Sequence, residues 1–169
     1  YKPDAGAIRL GAVDIAGMAS HRLARIGIAR TYQTTQLFQQ LSVLDNLRIA
    51  LRGGHLGSIA AALIGPRRGD EDRAIAESLL AFVGYQGPLH RPAGALAHVD
   101  KRLVEIARAL ATRPQVLLLD EPAAGLSHQD TARIGALLRR LADAGLVVIL
   151  VEHDMNLVMN VSDAVIVLD

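Results

Sequence analysis

The sequence predicts an α/β fold built on a parallel sheet, and three observations carry that prediction. Val116-Leu117-Leu118-Leu119, Leu146 to Val151 and Ala164 to Leu168 are continuous apolar runs, the pattern of strands buried on both faces. An amphipathic helix with Ile134, Leu137, Leu138 and Leu141 on one face lies between the first two runs. It is long enough for the crossover that parallel strands require. The chain has 169 residues, of which 51% are apolar. A domain of that size buries about 70% of its unfolded surface and needs no staples.

The elements follow in order. Pro3 to Gly6 reads as a turn, and Ala7 to Leu10 and Val13 to Ile15 flank Gly11, which predicts a short antiparallel pair. Ser20 is the expected N-cap of a short helix through Arg25 that ends at Gly27. Ile28 to Thr34 reads as a strand leading into a polar loop, with Gln33 where strand gives way to loop. Ser42 can cap a helix carrying Val43, Leu47, Ile49, Ala50 and Leu51, broken by Gly53-Gly54 and Gly57. Gly65 to Gly69 reads as a surface loop. Asp70, Glu71 and Asp72 open the next helix, where carboxylates suit its positive end. Ile75, Leu79, Phe82 and Val83 recur at helical spacing and Gly84 fits the stop. Leu103, Ile106, Ala107 and Leu110 form a further stripe, closed before Pro114. That helix is expected to start just after Ala97-His98-Val99-Asp100, aiming backbone donors outward as an anion site.

Composition narrows the function classes. Net charge is +1, from 18 basic and 17 acidic side chains, which disfavours nucleic-acid binding through a broad basic field. Cysteine is absent, which excludes a disulfide framework, a cysteine zinc site and a cysteine nucleophile. The longest apolar runs fall far short of the ~18 residues of a spanning helix. Residues 1–20 lack the charged-then-apolar pattern of a signal peptide.

Open parallel sheets bind ligands beyond the carboxyl ends of their strands. Asp120-Glu121 follows one apolar run and His153 follows the next. Four apolar residues followed by Asp-Glu is the arrangement of a Walker B strand. The first carboxylate can hold Mg²⁺ and the second can orient an attacking water, the two tasks that phosphoryl transfer needs. The same residues also fit a strand that merely ends at the surface. An imidazole at His153 could donate a hydrogen bond to a terminal phosphate. The amide of Gln33 could contact both a metal-bound water and a phosphate.

The ordered set of a Gln33 loop, Leu96 to Leu110, Val116 to Pro122, Ala124-Gly125-Leu126-Ser127 and Glu152-His153-Asp154 resembles the nucleotide-binding subunits of ABC transporters. Ala29 to Gln33, Leu37-Phe38, Glu105 to Leu110, Asp120 to Leu126 and Glu152 to Met155 are similar, more finely, to the ATP-binding subunits of branched-chain amino-acid importers. The resemblance implies a P-loop NTPase-like (RecA-like) parallel sheet core with an inserted ABC helical subdomain, incomplete at both ends. Residues 1–39 would be the β-subdomain and Q-loop. Residues 40–112 would be the helical subdomain, and 113–169 the Walker B, D-loop and H-loop core. It implies ATP and Mg²⁺ as ligands, with Gln33 and Asp120 at the metal. Glu121 would be the general base and His153 the switch residue at the γ-phosphate. Ala97, His98, Val99 and Asp100 would form the signature, with Ser127 in the D-loop. The implied partners are a second ABC ATPase subunit, a membrane permease and, indirectly, a solute-binding protein, with no nucleic acid. The implied location is peripheral, on the cytoplasmic face of the cell membrane. A non-transport ABC ATPase and a non-hydrolysing regulatory ABC module are the alternatives.

Two departures from the family pattern stand out. The phosphate-binding motif needs a lysine after glycine, and the two lysines, Lys2 and Lys101, follow Tyr1 and Asp100. The chain is therefore expected to be an excised fragment that binds ATP weakly or not at all. The signature is degenerate. Ala97 lacks the hydroxyl that would bond a γ-phosphate across a dimer, and Val99 replaces a glycine, where β-branching opposes positive φ.

Overall fold

The computed structural model describes residues 5–52 and 69–167. The expected glycine break at Gly53-Gly54 and Gly57, most of the loop before Gly69, and the turn residues Pro3-Asp4 lie outside the described residues. The chain begins with strands β1 (Arg9–Leu10) and β2 (Val13–Asp14), antiparallel with Leu10 opposite Val13. Gly11 takes φ +57° in the turn between them, a conformation that costs glycine nothing. Helix α1 (Ser20–Arg25) follows, then β3 (Ile28–Arg30), α2 (Val43–Leu51), α3 (Gly69–Val83) and α4 (His98–Leu110). The chain continues through β4 (Val116–Asp120), α5 (His128–Asp143), β5 (Val147–Val151) and α6 (Met155–Val161).

The central sheet is parallel, in the order β3-β4-β5. Ile28 pairs with Val116, and Val116 with Val147, so the carboxyl ends of all three strands meet at one edge. Leu117, Leu119, Val148 and Leu150 belong to the same core cluster as Ile134, Leu137, Leu138 and Leu141 of α5. Leu47 of α2, Leu80 of α3, and Leu103 and Ile106 of α4 continue that cluster without interruption.

Five expectations need correction. Ser20 is the first helical residue of α1; the cap position is Ala19, with no side-chain cap bond. Strand β3 ends at Arg30 and not at Thr34, because the carbonyls of Tyr32 and Gln33 accept from Arg102 and not from a neighbouring strand. Helix α4 begins at His98, three residues early. Ala97 is extended, at φ −61° and ψ 159°, and its carbonyl accepts from Lys101 N–H at 3.0 Å. With no glycine at positions 98 and 99, the backbone joins the helix without the extra entropy cost glycine carries. The run from Ala164 forms no strand through Val167. An apolar run becomes a strand only where a ladder partner is available, and among the described residues none pairs with it. Strand β5 is buried on one face only: α5 covers Val148 and Leu150, while Val147, Ile149 and Val151 are 55%, 47% and 58% exposed.

The helix starts that rest on hydroxyl caps are as expected for α2 and chemically alike in α5. Ser42 Oγ accepts from Asp45 N–H at 3.0 Å and donates to Asp45 Oδ2 at 2.6 Å. Ser127 Oγ makes the same pair of contacts with Asp130, at 3.2 and 2.8 Å. Ser42→Ala and Ser127→Ala should each cost about 1 kcal/mol in urea unfolding. The two costs should add in the double variant, because the caps share no partner.

Candidate active site

The carboxyl edge of the sheet gathers four side chains from three strands. Gln33 follows β3, Asp120 ends β4, Glu121 is next, and His153 lies two residues past β5. Gln33 Nε2 donates to Glu121 Oε2 at 2.8 Å. His153 Nδ1 lies 4.0 Å from Glu121 Oε1. Glu121 is therefore the hub, with one carboxylate oxygen facing each neighbour. Its backbone is left-handed, at φ +43°, a rare state for a residue other than glycine. Its N–H donates to Val151 O at 2.9 Å, so the strained residue is tied to the end of β5.

Asp120 is engaged differently. Its Oδ2 accepts from Arg30 Nη2 at 2.9 Å across the β3–β4 pair, with side-chain exposures of 31% and 53%. Glu152 is the buried partner of the group: its carboxylate accepts from Ala123 N–H at 2.9 Å and from its neighbour's N–H, that of His153, at 3.2 Å. It holds the segment after Glu121 against the segment that carries His153.

The loop bearing Gln33 is set by α4. Arg102 is 4% exposed. Its Nη1 donates to Tyr32 O at 3.0 Å and to Glu105 Oε2 at 3.1 Å, and its Nη2 donates to Gln33 O. Glu105 Oε1 accepts from Gln36 N–H at 3.1 Å, and Arg108 Nη1 donates to Gln36 O at 2.7 Å. Burial lowers the pKa of Arg108, with Glu105 acting in the opposite sense. Buried Asn46 closes the far end of the loop, exchanging bonds with both the N–H and the carbonyl of Phe38 at 2.9 and 3.1 Å.

The remaining expected residues stand apart. Ala97, Val99 and Asp100 make no hydrogen bond to Gln33, Asp120, Glu121 or His153 among the described residues. Val99 is helical and packs against the core. His98 Nε2 lies 3.1 Å from Ala124 O, which joins the start of α4 to the loop before Ser127. Ser127 itself caps α5.

The donor set suits a hard cation. Asp120 and the Gln33 amide offer oxygen ligands, the type Mg²⁺ takes. Among the described residues no group of three or more His, Cys, Asp or Glu side chains could enclose a metal.

Residues 1–124 match the family model for ABC transporters. The chain belongs to the ABC transporter family. It is 37% identical to a high-affinity branched-chain amino acid transport ATP-binding protein of Pseudomonas aeruginosa, BraF, and 35% identical to the corresponding protein of Escherichia coli, LivG. Each match covers 100% of this chain and 68% of the relative. Among solved structures it is similar to an ATP-binding cassette of an ABC transporter, MJ1267, in its ADP conformation. The TM-score is 0.80 at 30% identity, over 96% of this chain and 65% of that one. A dimeric bacterial ABC transporter cassette, MJ0796, matches at a TM-score of 0.76 and 25% identity. The chain thus spans about two thirds of the length of the proteins it matches. Among the described residues no helix is long and apolar enough to cross a membrane.

Sequence reasoning missed Arg102, Glu105 and Glu152 as determinants of the site. A signal existed for the first two: Arg102 and Glu105 adjoin Leu103 and Ile106 in the apolar stripe of α4, where unpaired charges do not belong. Arg102→Met, which leaves Glu105 buried without its cation, should destabilise the chain by about 3–5 kcal/mol in urea unfolding.

Proposed function

We infer that this chain is part of an ATP-hydrolysing subunit of an ABC importer for branched-chain amino acids. The observation that carries the reading is the meeting of Gln33, Asp120, Glu121 and His153 at one sheet edge, with Glu121 hydrogen-bonded to Gln33 at 2.8 Å. The likeness to BraF and LivG supports the solute class, and the dimeric cassette structure supports a second ATPase subunit as partner. A permease, and through it a solute-binding protein, complete the proposed assembly, which would hold the chain at the cytoplasmic face of the membrane. Residues 40–112 would be the helical subdomain of that assembly, between a β-subdomain with the Q-loop and a Walker B core.

In this reading Asp120 and Gln33 hold Mg²⁺, which when bound neutralises phosphate charge. Glu121 accepts hydrogen bonds from the attacking water and orients it in line with the terminal phosphorus. Gln33 and His153 flank Glu121 and so report the state of the terminal phosphate to the loop that Arg102 holds. His153 donates to the phosphate oxygens.

Two sequence features shape the activity. No glycine-lysine phosphate cradle lies within residues 1–169, so the chain on its own binds MgATP weakly; submicromolar affinity by calorimetry would overturn this. Ala97 and Val99 remove the hydroxyl and the close backbone approach that a signature gives its partner's nucleotide. This favours a heterodimer in which the site completed by this signature turns over slowly.

The deciding experiment uses the transporter that carries this chain, reconstituted with its permease. Glu121→Gln should cut ATP turnover by about 10²- to 10⁴-fold while ATP-driven dimer closure persists. Unchanged turnover in that variant would overturn the assignment of Glu121.

A further inference from the structure

Resting on the reading of Asp120 as the metal carboxylate, we propose that Arg30 is a built-in counter-cation that holds the Asp120 seat closed until a divalent ion displaces it. The two residues face each other because the parallel register sets Arg30 opposite Leu118, two positions before Asp120 on the same side of β4. Arg30 Nη2 reaches Asp120 Oδ2 at 2.9 Å. A guanidinium on this oxygen stands where a cation would stand, so the arginine and a metal ion compete for the same lone pairs.

Three observations make the competition reversible and not a permanent block. The pair is partly exposed on both sides, and such pairs are weak because water and salt screen them. A divalent ion with phosphate oxygens in its shell outbids one guanidinium there. Arg30 also has a second partner, held at the same time as Asp120: its Cζ lies 4.8 Å from the centroid of the Tyr32 ring, within cation–π range. Finally, Arg30 and Tyr32 both border a cavity of ≈ 400 Å³ lined also by Leu23, Ile28, Glu105 and Leu118, so the side chain has room to swing off Asp120 and keep its contact with the ring. The displaced cation then remains close to the loop that carries Gln33.

The test titrates Mn²⁺ into the ¹⁵N-labelled chain and follows paramagnetic broadening of the amide signals of Leu119, Asp120 and Val151. Removing the competitor in Arg30→Met, or in the polar variant Arg30→Gln, should lower the Mn²⁺ midpoint by about two- to fivefold. Arg30→Lys keeps the charge and should stay close to the parent. Asp120→Asn should raise the midpoint in every background. Equal midpoints for the parent, Arg30→Met and Arg30→Gln, with Asp120→Asn still shifting, would overturn the role of Arg30 and leave the metal seat standing. An Asp120→Asn midpoint equal to the parent's, or no selective broadening in any variant, would overturn the seat and the proposal together.

Discussion

The buried ion pair between Arg102 and Glu105 is the contact on which the geometry of the site depends. Taking two charges out of water is costly unless their remaining donors and acceptors are used. Here both terminal nitrogens of Arg102 and Oε1 of Glu105 are used on the backbone of one loop, at Tyr32, Gln33 and Gln36, while Arg102 Nε is buried without a partner. A loop leaving a strand end must find partners for its amides and carbonyls. Helix α4 supplies them from side chains, and the cost of burying the pair is offset by its mutual attraction and its hydrogen bonds to the loop, which also order the residue that reaches Glu121. Fold stability and site geometry are in this way carried by the same few atoms.

The second constraint is the parallel ladder. Because β3, β4 and β5 run the same way, Gln33, Asp120, Glu121 and His153 need no long loops to meet; each lies within three residues of a strand end. The short separations give a pre-set spacing among an amide, two carboxylates and an imidazole. Glu152 adds a brace inside this edge, so that the turn after β4 and the turn after β5 keep a fixed distance. The arrangement is rigid where β5 is tied to Glu121 and adjustable where Arg30 meets Asp120, an ion pair with both partners partly exposed.

Much of this was legible from residue order. The apolar runs at Val116 and Leu146 gave two strands, the Ser42 hydroxyl gave the start of α2, and the position of Gly84 gave the end of α3, where φ is +84°. Asp120-Glu121 and His153 follow apolar runs in the sequence, and their meeting at the sheet edge follows from the parallel topology, whereas Gln33 stands out only through the family resemblance. What order could not give was decided by tertiary partners. The early end of β3 depends on a guanidinium 70 residues away in sequence. The early start of α4 goes with the absence of glycine at positions 98 and 99 and with the packing of Val99 against the core. The run after Ala164 has strand composition but finds no ladder among the described residues, and composition does not report on neighbours.

The left-handed backbone at Glu121 also bears on how such a site would decay. A residue at φ +43° is most easily replaced by types that accept that region, glycine first, then asparagine, aspartate and histidine. Glycine and asparagine relieve the backbone and remove the carboxylate; aspartate keeps it on a side chain one carbon shorter. The fold would therefore reward the loss of the group the chemistry needs, and β-branched or bulky replacements would be the ones it resists. Drift at this position should therefore run toward glycine and asparagine before it runs toward β-branched or bulky side chains.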